Sequence, residues 1–121
     1  DKGLTKLPLK FNRVSGYFDC SYNKLTSLEG CPKYIGAYFN CHNNKLTSLE
    51  GCPREVGGNF YCSYNILTSL KGSPESVRGS FYCMDNPLES FEGYNSSYDK
   101  IRNTNKEKLI RKTKLKIINV L

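Results

Sequence analysis

The strongest constraint on this chain is that it repeats itself every 21 residues without an insertion. Phe18, Phe39, Phe60 and Phe81 keep the step, as do Cys20, Cys41, Cys62 and Cys83, and Asn23, Asn44, Asn65 and Asn86. Leu4, Leu25, Leu46, Leu67 and Leu88 form another row. Leu7, Leu28, Leu49 and Leu70 form the next, completed by Phe91. A unit this short cannot bury an apolar face against itself. Successive coils must stack, and each repeated residue then becomes a column. The chain therefore predicts a solenoid of about five coils over residues 1–98, the first and last partial, with one short parallel strand per coil and mostly irregular return segments.

Alternation says which residues look inward. In Tyr17-Phe18-Asp19-Cys20-Ser21, Phe18 and Cys20 share one side of an extended chain, and the other three share the opposite side. Hydrophobic residues make up 38% and aromatics 12%, so the core must draw on Phe as much as on Leu. Gly30, Gly51, Gly72 and Gly93 read as turns of unusual φ. Pro32, Pro53 and Pro74 stiffen the return. Val14, Ile35, Val56 and Val77 add one more apolar column.

The spacing F-x-C-x-x-N-x-L over residues 4 to about 94 resembles the core of leucine-rich repeats, with Phe and Cys in the first two Leu places. The continuation "LTSLEGCP" is similar to the tails of short bacterial repeats of that family. The wording as a whole resembles repeat proteins carried by tailed bacteriophages. The first resemblance implies a right-handed coil and an asparagine ladder. The second implies a protein acting in a host cell or in the virion.

The asparagines also have a direct physical reading. After a strand, an amide can bond both N–H and C=O groups where the chain bends. Stacked, Asn23, Asn44, Asn65 and Asn86 should form a hydrogen-bonded ladder with a structural role.

The six cysteines read as buried free thiols. Cys20, Cys41, Cys62 and Cys83 stand one coil apart on the inward face, where free Cys packs as a small hydrophobe. Cys31 and Cys52 form a second column, and Ser73 takes its third place. There is no C-x-x-C, and His42 is the only histidine, so neither a metal nor a cofactor is expected. Reduced thiols favour a cytoplasmic setting, which would be the host cytoplasm for a phage protein.

Charge is concentrated at the end. Residues 99–121 hold eight basic side chains against Asp99 and Glu107, within a formal net charge of +7. Thr104 to Glu107 fits a capping box, which predicts a helix from about 105 to 118. Ile110, Ile117 and Leu121 share a face, with Lys114 interrupting it. That helix is expected to cap the last coil or to meet a partner, although "KLKIINVL" also suits an extended strand. No apolar run is long enough for a membrane span. The opening "DKGLTKLPLKFN" has neither an apolar leader core nor a Met, as expected of a processed product or a piece of a longer protein.

No catalytic set is visible, which argues against an enzyme. The outward strand positions suggest protein binding instead: Tyr17, Asp19, Tyr38, Asn40, His42, Tyr61, Tyr82 and Met84. These rows contain one acid and no Lys or Arg. Tyrosine is a favoured interface anchor. The alternative is nucleic-acid or membrane-surface binding through Lys106, Lys108, Arg111, Lys112, Lys114 and Lys116.

Overall fold

The computed structural model describes residues 3–7, 12–94 and 100–102. In chain order the strands are β1 (Arg13–Val14), β2 (Phe18–Asp19), β3 (Tyr34–Ile35), β4 (Phe39–Asn40), β5 (Glu55–Val56), β6 (Phe60–Tyr61), β7 (Ser76–Val77), β8 (Ser80–Tyr82) and β9 (Lys100–Arg102). They build a β-solenoid in which equivalent strands pair in parallel, coil on coil. The register repeats the sequence period, with Phe18 opposite Phe39, Phe39 opposite Phe60, and Phe60 opposite Phe81.

Each complete coil carries two strands, where the repeat pattern predicted one. The anticipated strands form a five-stranded sheet, β2-β4-β6-β8-β9. A second, four-stranded sheet, β1-β3-β5-β7, precedes it in each coil. Its strands are two residues long, with a single valine or isoleucine facing in. One apolar residue cannot display an alternation, so the pattern gave no sign of them. The predicted helix at 105–118 lies outside the described residues.

The core is the set of predicted columns. Phe39, Phe60 and Phe81 are fully buried and stack at centroid separations of 5.2 and 4.9 Å. Cys41, Cys62, Leu25, Leu28, Leu46, Leu49, Leu67 and Leu70 are buried with them. Burying a Phe or Leu side chain contributes about 1.5–3 kcal/mol, so every coil adds several such terms. Phe18 in the first coil is only half-buried, since stacking completes the burial of each coil from both sides.

Asparagine joins the coils as anticipated. Asn44 Oδ1 accepts the Leu25 N–H at 3.0 Å, and its Nδ2 donates to Cys20 O and Cys41 O at 3.0 Å each. Asn65 and Asn86 repeat this one and two coils on. Among the described residues every buried side-chain nitrogen and oxygen has a partner. The turn glycines 30, 51, 72 and 93 all have φ between 86 and 95°.

All six cysteines are buried free thiols. Cys41 and Cys62 donate their S–H to Tyr61 O and Tyr82 O of the next coil, and Cys52 donates to Gly72 O. Burial pushes the Cys20 and Cys52 thiols up to about 12. Desolvation also raises Cys31, Cys41 and Cys62.

Candidate interaction surface

The pleat of β2, β4, β6 and β8 turns Phe inward and its chain neighbours outward, so the outer side of this sheet is written by positions flanking the core columns. Those neighbours form a continuous aromatic row. Tyr17 stacks on Tyr38 at 4.8 Å, Tyr38 meets Tyr61 edge-on at 6.0 Å, and Tyr61 stacks on Tyr82 at 4.8 Å. The row steps sideways between Tyr38 and Tyr61, because tyrosine moves there from the position before Phe to the position after it. Rings that stack on each other offer edges and hydroxyls to the outside, while Tyr17 at the end is 60% exposed.

Polar contacts brace the row. Asn59 Nδ2 donates to the Tyr61 hydroxyl at 2.9 Å, and Asn59 Oδ1 accepts the Ser80 N–H at 2.8 Å. Asp19 accepts from the Ser21 N–H at 2.9 Å and from the Ser21 hydroxyl. Asn40 Oδ1 accepts the His42 N–H at 3.0 Å and also contacts His42 Nδ1. Desolvation, then the neighbouring Tyr17, Asp19 and Tyr61, push the Tyr38 phenol above its ordinary value.

The structure thus brings Tyr17, Tyr38, Tyr61 and Tyr82 together. Asp19 is exposed, whereas Asn40, His42 and Met84 are half-buried on the same strands and the turns after them. Ser63 stands two coils on from Ser21, so the alternation that turns Ser21 outward predicts the same for it, but Ser63 departs from that. It is 6% exposed, and its hydroxyl accepts the Met84 N–H at 3.1 Å, so it belongs to the coil-to-coil bonding. The basic positions 106–116 lie outside the described residues.

Two exposed tyrosines escaped the sequence reading. Tyr22 and Tyr64 are each 54% exposed, at the turn just before the asparagine ladder. With Asn43 and Asp85 they form a column of left-handed residues, φ 55–57°. Tyr22 meets the His42 ring edge-on at 4.8 Å. The charge of Asp85 and a hydrogen bond to it raise the Tyr64 phenol. Ile66, 48% exposed, follows Tyr64. Asn43 and Asp85 were the available signal, since these residue types tolerate that conformation.

Among the described residues no group of three His, Cys, Asp or Glu could hold a metal ion, and no helix is long and apolar enough to cross a membrane. Comparisons with protein-family models, with curated proteins and with solved structures return no match. The class defined here, a β-solenoid with 21-residue coils and a tyrosine-rich sheet face, rests on the geometry itself.

Proposed function

We propose that this chain is a non-enzymatic protein-interaction module that binds a protein partner through the outer face of the sheet β2-β4-β6-β8. The observation carrying this reading is the unbroken row Tyr17-Tyr38-Tyr61-Tyr82 across four coils. Stacked tyrosines are already ordered, so a partner loses little side-chain entropy in meeting them. Phenol edges can bond polar groups while the ring bodies exclude water. The four coils hold Tyr61 and Tyr82 in strands β6 and β8 and Tyr17 and Tyr38 just before β2 and β4, and repeat proteins commonly bind along such an extended face.

The resemblance to leucine-rich repeats supports the same role. The resemblance to phage-borne repeats favours a host protein or a virion component as the partner. Buried reduced thiols favour the cytoplasm as the setting.

The double variant Tyr61→Ala with Tyr82→Ala tests the reading. Affinity purification from the native context, followed by mass spectrometry, should recover the partner with the wild type and lose it with the variant. Circular dichroism of the two proteins should coincide, since both rings lie outside the core. Equal partner recovery would overturn the proposal.

A further inference from the structure

A second surface lies along the outer side of the other sheet. A groove of about 370 Å³ runs across β1, β3, β5 and β7, lined in part by Arg13, Tyr34, Gly36, Glu55, Gly57 and Arg78. Its floor is bare because the coils touch there. A Cβ at Gly36 would stand 2.0 Å from Ser15 O, and one at Gly57 would stand 2.2 Å from Gly36 O. In the two middle coils the close approach thus leaves room only for glycine, while Ser15 and Arg78 take the equivalent places at the two ends, so the channel floor is open to backbone polar groups between them.

The charges lining this channel are unspent. Among the described residues Arg13, Glu55 and Arg78 take part in no ion pair, whereas adjacent Arg54 and Glu75 satisfy each other at 2.9 Å. The Arg13 guanidinium lies 4.7 Å over the Tyr34 ring. This contact orients the planar group and leaves its N–H edges available for a carboxylate. The register carries Arg13 onto Ser76 three coils along, and Arg78 stands two residues beyond it. That sets it about 16 Å from Arg13, within the combined reach of two long guanidinium side chains for groups somewhat closer together. Glu55 falls between them. Residues four apart in an extended chain stand about 13.5 Å apart.

We propose that this groove is a second binding site, and that it takes an extended peptide with acidic residues four apart and a basic residue between them. One carboxylate meets Arg13, the other meets Arg78, and the central cation meets Glu55. A small dianion fits less well, since it would leave Glu55 facing negative charge without a counter-ion. The site is separate from the tyrosine row and uses none of its residues.

The test is a fluorescence-anisotropy titration of the full chain with a labelled peptide, Ser-Glu-Val-Lys-Val-Glu-Ser. Saturable binding is expected, weakened about tenfold by Arg13→Ala and about tenfold by Arg78→Ala. Tyr61→Ala with Tyr82→Ala should leave it unchanged. A peptide with one Glu replaced by Lys should bind Arg78→Glu better than it binds the wild type. Both arginines are exposed, so folding of these variants is checked simply by circular dichroism. Absence of saturation at millimolar peptide overturns the proposal. So does a loss produced by Lys108→Ala with Lys112→Ala but not by the arginine variants, which would assign binding to the basic segment. A ten-nucleotide single strand that binds more tightly than the peptide, with the same arginine dependence, overturns it in favour of phosphate recognition.

Discussion

Asn65 holds Leu46 of the preceding coil: its Oδ1 accepts the Leu46 N–H at 3.0 Å. Its Nδ2 donates at 3.1 Å both to Cys41 O of that coil and to Cys62 O of its own. One amide thus ties two coils where the strand ends and the chain bends away. Leu46, Cys41 and Cys62 are core residues with 0% exposure, so water cannot replace the amide there.

Asn65→Ala should therefore cost more than an ordinary hydrogen-bond deletion. It leaves the Leu46 N–H buried and unpaired, at about 1–3 kcal/mol, and takes one of two amide donors from each of Cys41 O and Cys62 O, which keep Asn44 and Asn86. A loss of roughly 3 kcal/mol is expected, against the 5–15 typical of a whole domain. Asn65→Asp should be no better at neutral pH, since it keeps the acceptor but sets a carboxylate against two carbonyls. Its stability should rise as the pH falls and the carboxyl regains a proton to donate. Urea unfolding at neutral and acid pH reads both variants. A change under 1 kcal/mol for the alanine variant would remove the ladder from the account of stability.

The thiols make stability sensitive to alkali. Burial raises Cys20 and Cys52 from the ordinary 9.0 to about 12. An unfolded chain releases these protons near pH 9, whereas the folded chain keeps them until close to 12. Within that window the unfolded state binds fewer protons, so stability falls as pH rises. It is fully present below pH 9 and is lost progressively toward 12. Urea midpoints measured across this range should decline steadily. The native protein should also react slowly with a thiol reagent at neutral pH, and quickly once unfolded. Fast labelling of the native chain would contradict the burial.

The columns could be read from the sequence because stacking writes one residue type repeatedly at one step. Phe39, Phe60 and Phe81, and the three complete asparagines, needed nothing else. Parity predicts which side of a strand a residue takes but not how deep it lies. Ser63 is therefore outward by alternation and yet buried, because Met84 of the next coil bonds to it. Strand β9 was hidden for a different reason. It sets Ile101 opposite Phe81, a step of 20 residues, which breaks the 21-residue count. The tyrosine row could be read by position, but its ring-to-ring contacts could not. They depend on side-chain torsions that a spacing does not specify.

Cys52 offers a substitution the chain has already made elsewhere. Its column continues as Ser73, whose hydroxyl donates to Leu70 O. Leu49 O stands in the equivalent place and already accepts the Cys52 N–H at 3.0 Å. A serine at 52 would find the same acceptor, so Cys52→Ser should cost no more than about 1 kcal/mol. Cys52→Asp, with no donor at neutral pH and a buried charge, should be severely destabilising. Thermal melts of the two variants separate these outcomes. Equal losses would mean that the Ser73 contact does not transfer between coils.

Two left-handed columns ought to respond in opposite ways to a change at Cβ. Gly72 has φ +86°, and a Cβ there would stand 2.5 Å from the Glu50 nitrogen and 2.8 Å from the Leu49 carbonyl carbon. Both obstacles are backbone of the preceding coil and cannot swing aside. Gly72→Ala should cost roughly 3 kcal/mol, combining the φ penalty with a forced shift of the stack. Tyr64 has φ 55° with its side chain outside the core. Tyr64→Gly relieves about 1 kcal/mol of that strain, offset by the greater freedom of glycine in the unfolded chain. It should leave stability within about 1 kcal/mol of the wild type. Urea unfolding with a common slope measures both. A Gly72→Ala variant as stable as Tyr64→Gly would show that the coils can separate at the turn, and that close contact there is not required.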